Sequence, residues 1–142
     1  MKRALSIAML ALLICSTALA QDQTAKQEAA KKSAEAWLKL TDSGDYAASW
    51  QEAASFFQSK LSKADWDAAL KKVRTPLGAA SNRTLLSAMY LTEVPGAPKG
   101  EYVVITYKTD FAASGTLIEQ LTPMLDKDGK WRVSGYFIKP QE

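Results

Sequence analysis

Apolar positions recur at two different periods in the two halves of the chain. Up to residue 77 they recur every three or four residues, which is typical of amphipathic helices. Three helices are predicted there: one ending near residue 42, before Gly44, then Asp45–Phe57 and Ser62–Arg74, with Thr75-Pro76-Leu77-Gly78 closing the helical half. From residue 80 on, four segments rich in β-branched and aromatic residues predict strands: Leu85–Thr92, Glu101–Phe111, Thr116–Leu125 and Lys130–Lys139.

Helices followed by an antiparallel meander indicate an α+β fold, with three N-terminal helices packed on one face of a four-stranded antiparallel sheet. In the second strand the odd-numbered positions, such as Val103 and Ile105, are the more apolar and are predicted to face the helices. The same counting predicts further inward-facing positions in the outer strands: Arg83, Leu85, Met89 and Leu91 in the first, and Trp131, Val133 and Phe137 in the fourth, where Gly135 allows a bulge.

In the third strand this counting gives an unexpected result. Glu119 lies between Leu117 and Leu121 on the predicted core face. A carboxylate in such a position must be paired or must have a raised pKa, because burying an unpaired charge is costly. Arg83 and Arg74 are the cations within reach.

Two interpretations of Glu119 remain open. In the first, Glu119, an arginine and a tyrosine such as Tyr107 form the polar end of an otherwise apolar pocket. In the second, which is favoured, Glu119 forms a structural ion pair with Arg83 or Arg74, or a bulge turns it to solvent. No catalytic residue is assigned.

The N-terminus has the parts of a secretory signal peptide. Met1-Lys2-Arg3 precedes an apolar run from Ala4 to Ile14, and Ala18-Leu19-Ala20 ends the segment with small residues. Cleavage is expected after Ala20, leaving a flexible tail over residues 21–27 and a single α+β domain over residues 28–140. The expected location is periplasmic or secreted, with no integral membrane segment after cleavage.

The composition of the chain excludes several kinds of partner and of chemical site. The 142 residues include 18 basic and 15 acidic side chains, no His and one Cys. Loss of Lys2 and Arg3 with the signal peptide leaves 16 basic against 15 acidic residues, so nucleic acid is not expected as a partner. Cys15 also lies in the removed segment, so disulfides, Cys or His metal sites and imidazole chemistry are excluded from the mature chain, and no cofactor or metal is expected.

Two smaller features have structural explanations. The four tryptophans are predicted to lie in the core, with only Trp66, between Asp65 and Asp67, partly exposed. The segment Asp126-Lys127-Asp128-Gly129 begins like a calcium loop but lacks the later ligands, and a hairpin turn explains it better.

Several stretches carry a family resemblance. The most specific are Pro95-Gly96-Ala97-Pro98-Lys99-Gly100-Glu101-Tyr102 and Gly129-Lys130-Trp131-Arg132-Val133-Ser134-Gly135-Tyr136. Over about residues 30–139 the chain resembles a bacterial exported family, domain of unknown function 4019 (DUF4019). The resemblance implies no activity. The order of elements is similar to the nuclear-transport-factor-2-like (NTF2-like) and cystatin-like folds, which often enclose a pocket, although fold does not fix function.

These observations favour a non-enzymatic exported domain that binds a small apolar ligand or a partner protein between sheet and helices. One alternative is a pocket enzyme of the isomerase or hydrolase type that uses a carboxylate and a tyrosine. The other is a structural or assembly role through an exposed sheet edge.

Overall fold

The computed structural model describes the backbone from residue 4 to residue 142 and the side chains from Thr17 onward. Within this part, helices α1 (Ala4–Asp42), α2 (Tyr46–Gln51), α3 (Ser55–Lys60) and α4 (Lys63–Leu77) precede strands β1 (Ala80–Leu91), β2 (Tyr102–Phe111), β3 (Gly115–Leu125) and β4 (Trp131–Pro140). The strands form one sheet in the order β1-β2-β3-β4, and every neighbouring pair is antiparallel. The predicted α+β class is confirmed.

The second predicted helix is in fact two helices, so the predicted count of three is wrong. The chain is extended at Ala54, between α2 and α3, where the backbone N–H donates to the carbonyl of Val133 in β4 at 2.8 Å. Gln58 turns back and donates through Nε2 to the carbonyls of Trp50 and Gln51, at 2.9 and 3.0 Å, at the C-terminal end of α2. The break therefore docks the helical layer onto the edge of β4, a long-range contact that helical periodicity does not reveal.

Residues 21–27, expected to be a flexible tail, lie within α1. Gln27 Nε2 donates to the backbone carbonyl of Ala88 in β1 at 3.0 Å, and Lys26 Nζ lies 2.6 Å from a carboxylate oxygen of Glu101. These contacts with the sheet hold the end of the segment. The predicted signal peptide, residues 1–20, lies partly outside the described residues. Within the described part, no helix has the length and apolar character needed to cross a membrane.

The larger core cluster fills the space between the helices and one face of the sheet. Trp37 and Leu38 of α1 and Trp66 of α4 pack against inward-facing strand residues such as Val103 and Leu121. The odd-numbered positions of β2 are buried as predicted. Trp66 was expected to be partly exposed, but it is buried, and its indole N–H donates to the Ser49 hydroxyl at 2.9 Å. That hydrogen bond satisfies the indole in the core, which explains why two flanking aspartates do not draw Trp66 to the surface.

Strand β1 departs from simple alternation because it contains bulges. Leu85 pairs with Tyr107 as the counting predicts, but a register shift between Leu85 and Ser87 inserts one residue. An inserted residue moves every later side chain to the opposite face. Met89 therefore lies on the outer face, and Leu91 follows it, so their predicted inward orientation is wrong.

Strand β4 shows the same effect. Leu121 pairs with Tyr136 and Pro123 pairs with Val133, so two residues of β4, Ser134 and Gly135, face one residue of β3. The bulge that Gly135 was predicted to allow is present, and it moves Tyr136 to the inner face. Phe137 lies on the outer face, 49% exposed, and its predicted inward position is wrong.

Both edges of the sheet are interrupted. Bulges break the regular spacing of β1 and β4, and residues of the helical half donate hydrogen bonds to carbonyls of these edge strands. The Gln27 side chain donates to Ala88, the Ala54 N–H to Val133, and the Ser33 hydroxyl to Trp131 at 2.7 Å. Such features protect a sheet against edge-to-edge pairing.

Candidate functional site

Glu119 is buried in the middle of β3 with its carboxylate fully hydrogen-bonded. Its exposed fraction is 0%. One oxygen accepts from Arg83 Nε at 2.7 Å and from the Thr109 hydroxyl at 2.6 Å, and the other accepts from the Tyr136 hydroxyl. The carboxylate is therefore both sealed from solvent and surrounded by donors, which is how a buried charge is tolerated.

A second carboxylate joins the two arginines. Asp42, the last residue of α1, accepts from Arg74 Nη2 at 2.7 Å and from Arg83 Nη1 at 2.8 Å. Arg74 Nη1 donates to the Tyr136 hydroxyl at 3.0 Å and lies 3.7 Å from a Glu119 oxygen. We call Asp42, Arg74, Arg83, Glu119 and Tyr136 the Glu119 cluster; its two carboxylates and two guanidinium groups balance in charge.

Each member reaches the cluster from a different element, so the cluster ties the helical layer to the sheet. Arg74 comes from the last turn of α4, where a cation is favoured by the helix dipole, and its guanidinium lies 5.3 Å from the centre of the Phe111 ring. Arg83 comes from β1, and Tyr136 points inward because of the β4 bulge. The cluster therefore forms only when both the helical half and the sheet are folded.

The electrostatics of the cluster shift the pKa values of Asp42, Arg74, Arg83 and Tyr136. Burial alone would raise the pKa of Asp42, but hydrogen bonds from Arg83 and Arg74 lower it below its ordinary value. Burial and the nearby Glu119 charge raise the pKa of Tyr136. Burial alone would lower the pKa values of both arginines, but Tyr136 and Asp42 raise that of Arg74, and Asp42 and Glu119 raise that of Arg83. These four groups therefore keep one protonation state around neutral pH, whereas acid–base catalysis needs a group that changes state there.

The structure brings three of the four predicted site residues together and leaves one out. Glu119, Arg83 and Arg74 meet as described. Tyr107 pairs in register with Glu119 and is buried, but its hydroxyl has no hydrogen-bond partner in the described part of the chain. Burial raises the pKa of Tyr107 to about 12. Tyr136 occupies the place predicted for Tyr107.

Sequence analysis missed three residues of this site. Thr109 carried a signal, since it is a polar residue on the inward-facing side of β2. Tyr136 was hidden by the bulge at Gly135, which reverses the face of the strand. Asp42 gave no signal, because its proximity to Arg83 arises only from the packing of α1 across the sheet.

A second feature is an open cleft where α1, α2 and the start of β4 meet. It has a volume of about 510 Å³. It is lined by both apolar and polar or charged residues: Ser33, Ala36, Trp37, Leu40, Ala48, Glu52, Lys130, Trp131 and Arg132. Arg132 is held by two hydrogen bonds to Asp128, at 2.6 and 2.8 Å. The charges of Glu52 and Lys130 also act within this group, Glu52 on Arg132 and Lys130 on Asp128.

The segment Asp126–Gly129, whose sequence begins like a calcium loop, forms the hairpin turn between β3 and β4. Gly129 N–H donates to the Asp126 carbonyl at 2.9 Å, as expected of a tight turn. The Asp126 carboxylate accepts from the backbone N–H and the hydroxyl of Ser55, at 2.9 and 2.6 Å, and so caps α3, whose own N-cap residue Ala54 cannot. Among the described side chains, no group of three or more His, Cys, Asp or Glu residues could hold a metal ion.

Comparison with known families gives one result. The family model described as protein of unknown function (DUF4019) matches residues 33–136. The chain belongs to this family. No curated protein matches the chain. The matched region of this DUF4019 protein begins at Ser33 and ends at Tyr136, so it contains every residue of the Glu119 cluster and every residue that lines the cleft.

Proposed function

We propose that this DUF4019 protein is a non-enzymatic binding domain that holds a small ligand with an apolar body in the cleft between α1, α2 and β4. The observation that carries this proposal is the cleft itself, whose lining combines apolar side chains with the charged side chains of Lys130, Arg132 and Glu52. Its volume lies within the range of roughly 300–1,000 Å³ that ligand sites occupy.

The hydrogen bonds that surround the Glu119 carboxylate support a structural role for the Glu119 cluster. A substrate that approached Glu119 would have to displace Arg83, Thr109 and Tyr136 from its oxygens. The space between sheet and helices near it is filled by core side chains such as Trp37 and Leu121. These contacts give no support to the alternative of an isomerase or hydrolase that uses this carboxylate and a tyrosine.

The chemistry of the cleft indicates the kind of ligand. Trp131 is half-buried in the lining and offers part of its ring to a flat apolar group, and Leu40 adds an aliphatic surface. Lys130 also lines the cleft and is suited to a carboxylate or sulfonate on the same molecule. The ligand is therefore a small amphipathic organic anion.

Fluorescence of 8-anilinonaphthalene-1-sulfonate, an aromatic sulfonate, tests this proposal. We expect the folded protein to bind the dye and the Ala36→Trp variant to lose the binding, because Ala36 is an exposed α1 residue of the lining and a tryptophan there fills the cleft. The matched control is Ala68→Trp, an exposed position on α4 outside the cleft. Equal dye binding by both variants, with unchanged circular dichroism, would contradict the proposal.

Export of the protein to a bacterial periplasm or medium is the second part of the proposal. It rests on the signal-peptide pattern, and residues 17–25 are all exposed, so cleavage after Ala20 would uncover no core residue. The intact mass of protein recovered from the periplasm tests it. A mass lacking the first twenty residues is expected, and a full-length mass would contradict it. The order of helices and strands also supports an NTF2-like or cystatin-like fold, which comparison with an experimental structure would test.

A further inference from the structure

Gln21 is the residue that cleavage after Ala20 would turn into the start of the chain. It is exposed on α1, and its side chain makes no hydrogen bond to any residue in the described part of the chain. The neighbouring side chains do have partners. The Thr24 hydroxyl donates to the Ala20 carbonyl at 2.9 Å, and a carboxylate oxygen of Asp22 lies 3.0 Å from Lys26 Nζ. The amide of Gln21 is therefore free to react with an α-amino group created at the same residue.

A glutamine at the start of a chain carries a nucleophile and an electrophile in one residue. The α-amino nitrogen attacks the side-chain amide carbon, Cδ, and closes a five-membered lactam ring. A bond forms between N and Cδ, the bond between Cδ and Nε2 breaks, and Nε2 leaves as ammonia with one proton from the α-amine. The step needs no oxidant, reductant or co-reactant. An α-amino group has an ordinary pKa of about 8, so the unprotonated nucleophile is present near neutral pH.

We propose that Gln21 of the mature protein is a modification site, at which the new N-terminus cyclises to pyroglutamate. This inference rests on the proposed export, because only cleavage after Ala20 gives Gln21 a free α-amino group. Residues 17–25 are all exposed, so the ring can close without displacing a core side chain.

Ring closure changes the N-terminal end of α1 in two ways. It removes a positive charge from the end of the helix that carries the positive pole of the helix dipole, where such a charge is unfavourable. It also removes the free α-amino group that aminopeptidases require. The residues just downstream hold α1 to the sheet: Lys26 Nζ lies 2.6 Å from a Glu101 oxygen, and Gln27 Nε2 donates to the Ala88 carbonyl at 3.0 Å. Cyclisation therefore protects the segment that carries these contacts from being trimmed.

The intact mass of protein recovered from the periplasm and then incubated at about pH 8 tests this proposal. We expect a mass that lacks the first twenty residues and one further ammonia molecule, together with an N-terminus that cannot be sequenced until pyroglutamyl peptidase removes its first residue. Gln21→Ala removes the amide carbon, so this variant should lose no ammonia and should be readable by N-terminal sequencing. The matched control is Gln23→Ala, which removes another exposed glutamine of α1 and should lose ammonia as the wild type does.

The same measurement separates the cyclisation from the export on which it rests. A mass that lacks the first twenty residues but retains the ammonia, with a readable N-terminus, would overturn the cyclisation and leave the export proposal in place. A full-length mass would overturn both. Equal loss of ammonia by Gln21→Ala would show that another amide reacts, and would overturn the assignment to Gln21. The dye experiment on the cleft does not involve this residue, so the proposed ligand cleft can fail or hold independently.

Discussion

Replacing Glu119 with Gln tests whether the Glu119 cluster holds the fold together. The substitution keeps the size of the side chain and one acceptor oxygen but removes the negative charge. The new amide nitrogen must face donors, since Arg83, Thr109 and Tyr136 all donate to the native carboxylate. The perturbation therefore leaves the buried guanidinium of Arg74 and the partly buried guanidinium of Arg83 with a single carboxylate, Asp42.

The magnitude follows from burial. Removing one partner of a buried ion pair costs about 3–5 kcal/mol. Asp42 continues to accept from both arginines, at 2.7 and 2.8 Å, which reduces this cost. We therefore expect Glu119→Gln to lower the free energy of unfolding by about 2–4 kcal/mol. For a domain of this size that corresponds to a fall in the melting temperature of roughly 8–15 °C.

Urea denaturation followed by circular dichroism measures this loss. Asp128→Asn is the matched control, because Asp128 also binds an arginine through two hydrogen bonds but its side chain is 50% exposed. An exposed pair contributes about 1 kcal/mol or less. A Glu119→Gln protein within about 1 kcal/mol of the wild type, or no less stable than Asp128→Asn, would refute the structural role of the cluster.

Three further changes test other parts of the account. The pKa of Asp42 is lowered from 3.8 in the folded protein, so its stabilising contribution is complete above pH 3.8 and is lost as the pH falls through the lower folded-state pKa. Urea unfolding should therefore show a steeper fall in the free energy of unfolding between about pH 5 and pH 2 for the wild type than for Asp42→Asn. Asp126→Ala should lower the free energy of unfolding by about 1–2 kcal/mol, because it removes the cap on Ser55, and a loss below about 0.3 kcal/mol would speak against the cap. Gly78→Ala should lower the melting temperature more than Gly44→Ala: both glycines have positive φ, but a Cβ at Gly78 would lie 3.0 Å from a backbone nitrogen, whereas Gly44 has nothing within 4 Å.

The coarse fold could be predicted because it depends on periodicity. The change from helical to alternating spacing near residue 80 located the sheet, and β2 alternates from Val103 to Phe111. Orientation failed where the chain inserts a residue. Counting positions assumes a strict period of two and does not allow for the bulges before Ser87 and at Gly135. It therefore assigned Met89 and Phe137 to the wrong face of the sheet.

In the candidate site, too, some residues could be predicted from the sequence and others could not. Glu119 could be predicted because a charged residue between two leucines conflicts with its surroundings, and that conflict required a cation. Tyr136 could not be predicted, since its orientation depends on the bulge. Asp42 could not be predicted either, because no local pattern indicates that the end of α1 meets β1.

The most direct test of a ligand cleft in this protein is the NMR signal of each tryptophan indole N–H during titration with 8-anilinonaphthalene-1-sulfonate. Trp131 lines the cleft, whereas the Trp50 indole donates to the Leu61 carbonyl at 2.7 Å, outside it. We expect the Trp131 signal to shift with saturation while the Trp50 signal stays in place. A titration that leaves Trp131 unmoved, or that moves both signals equally, would contradict binding in the cleft.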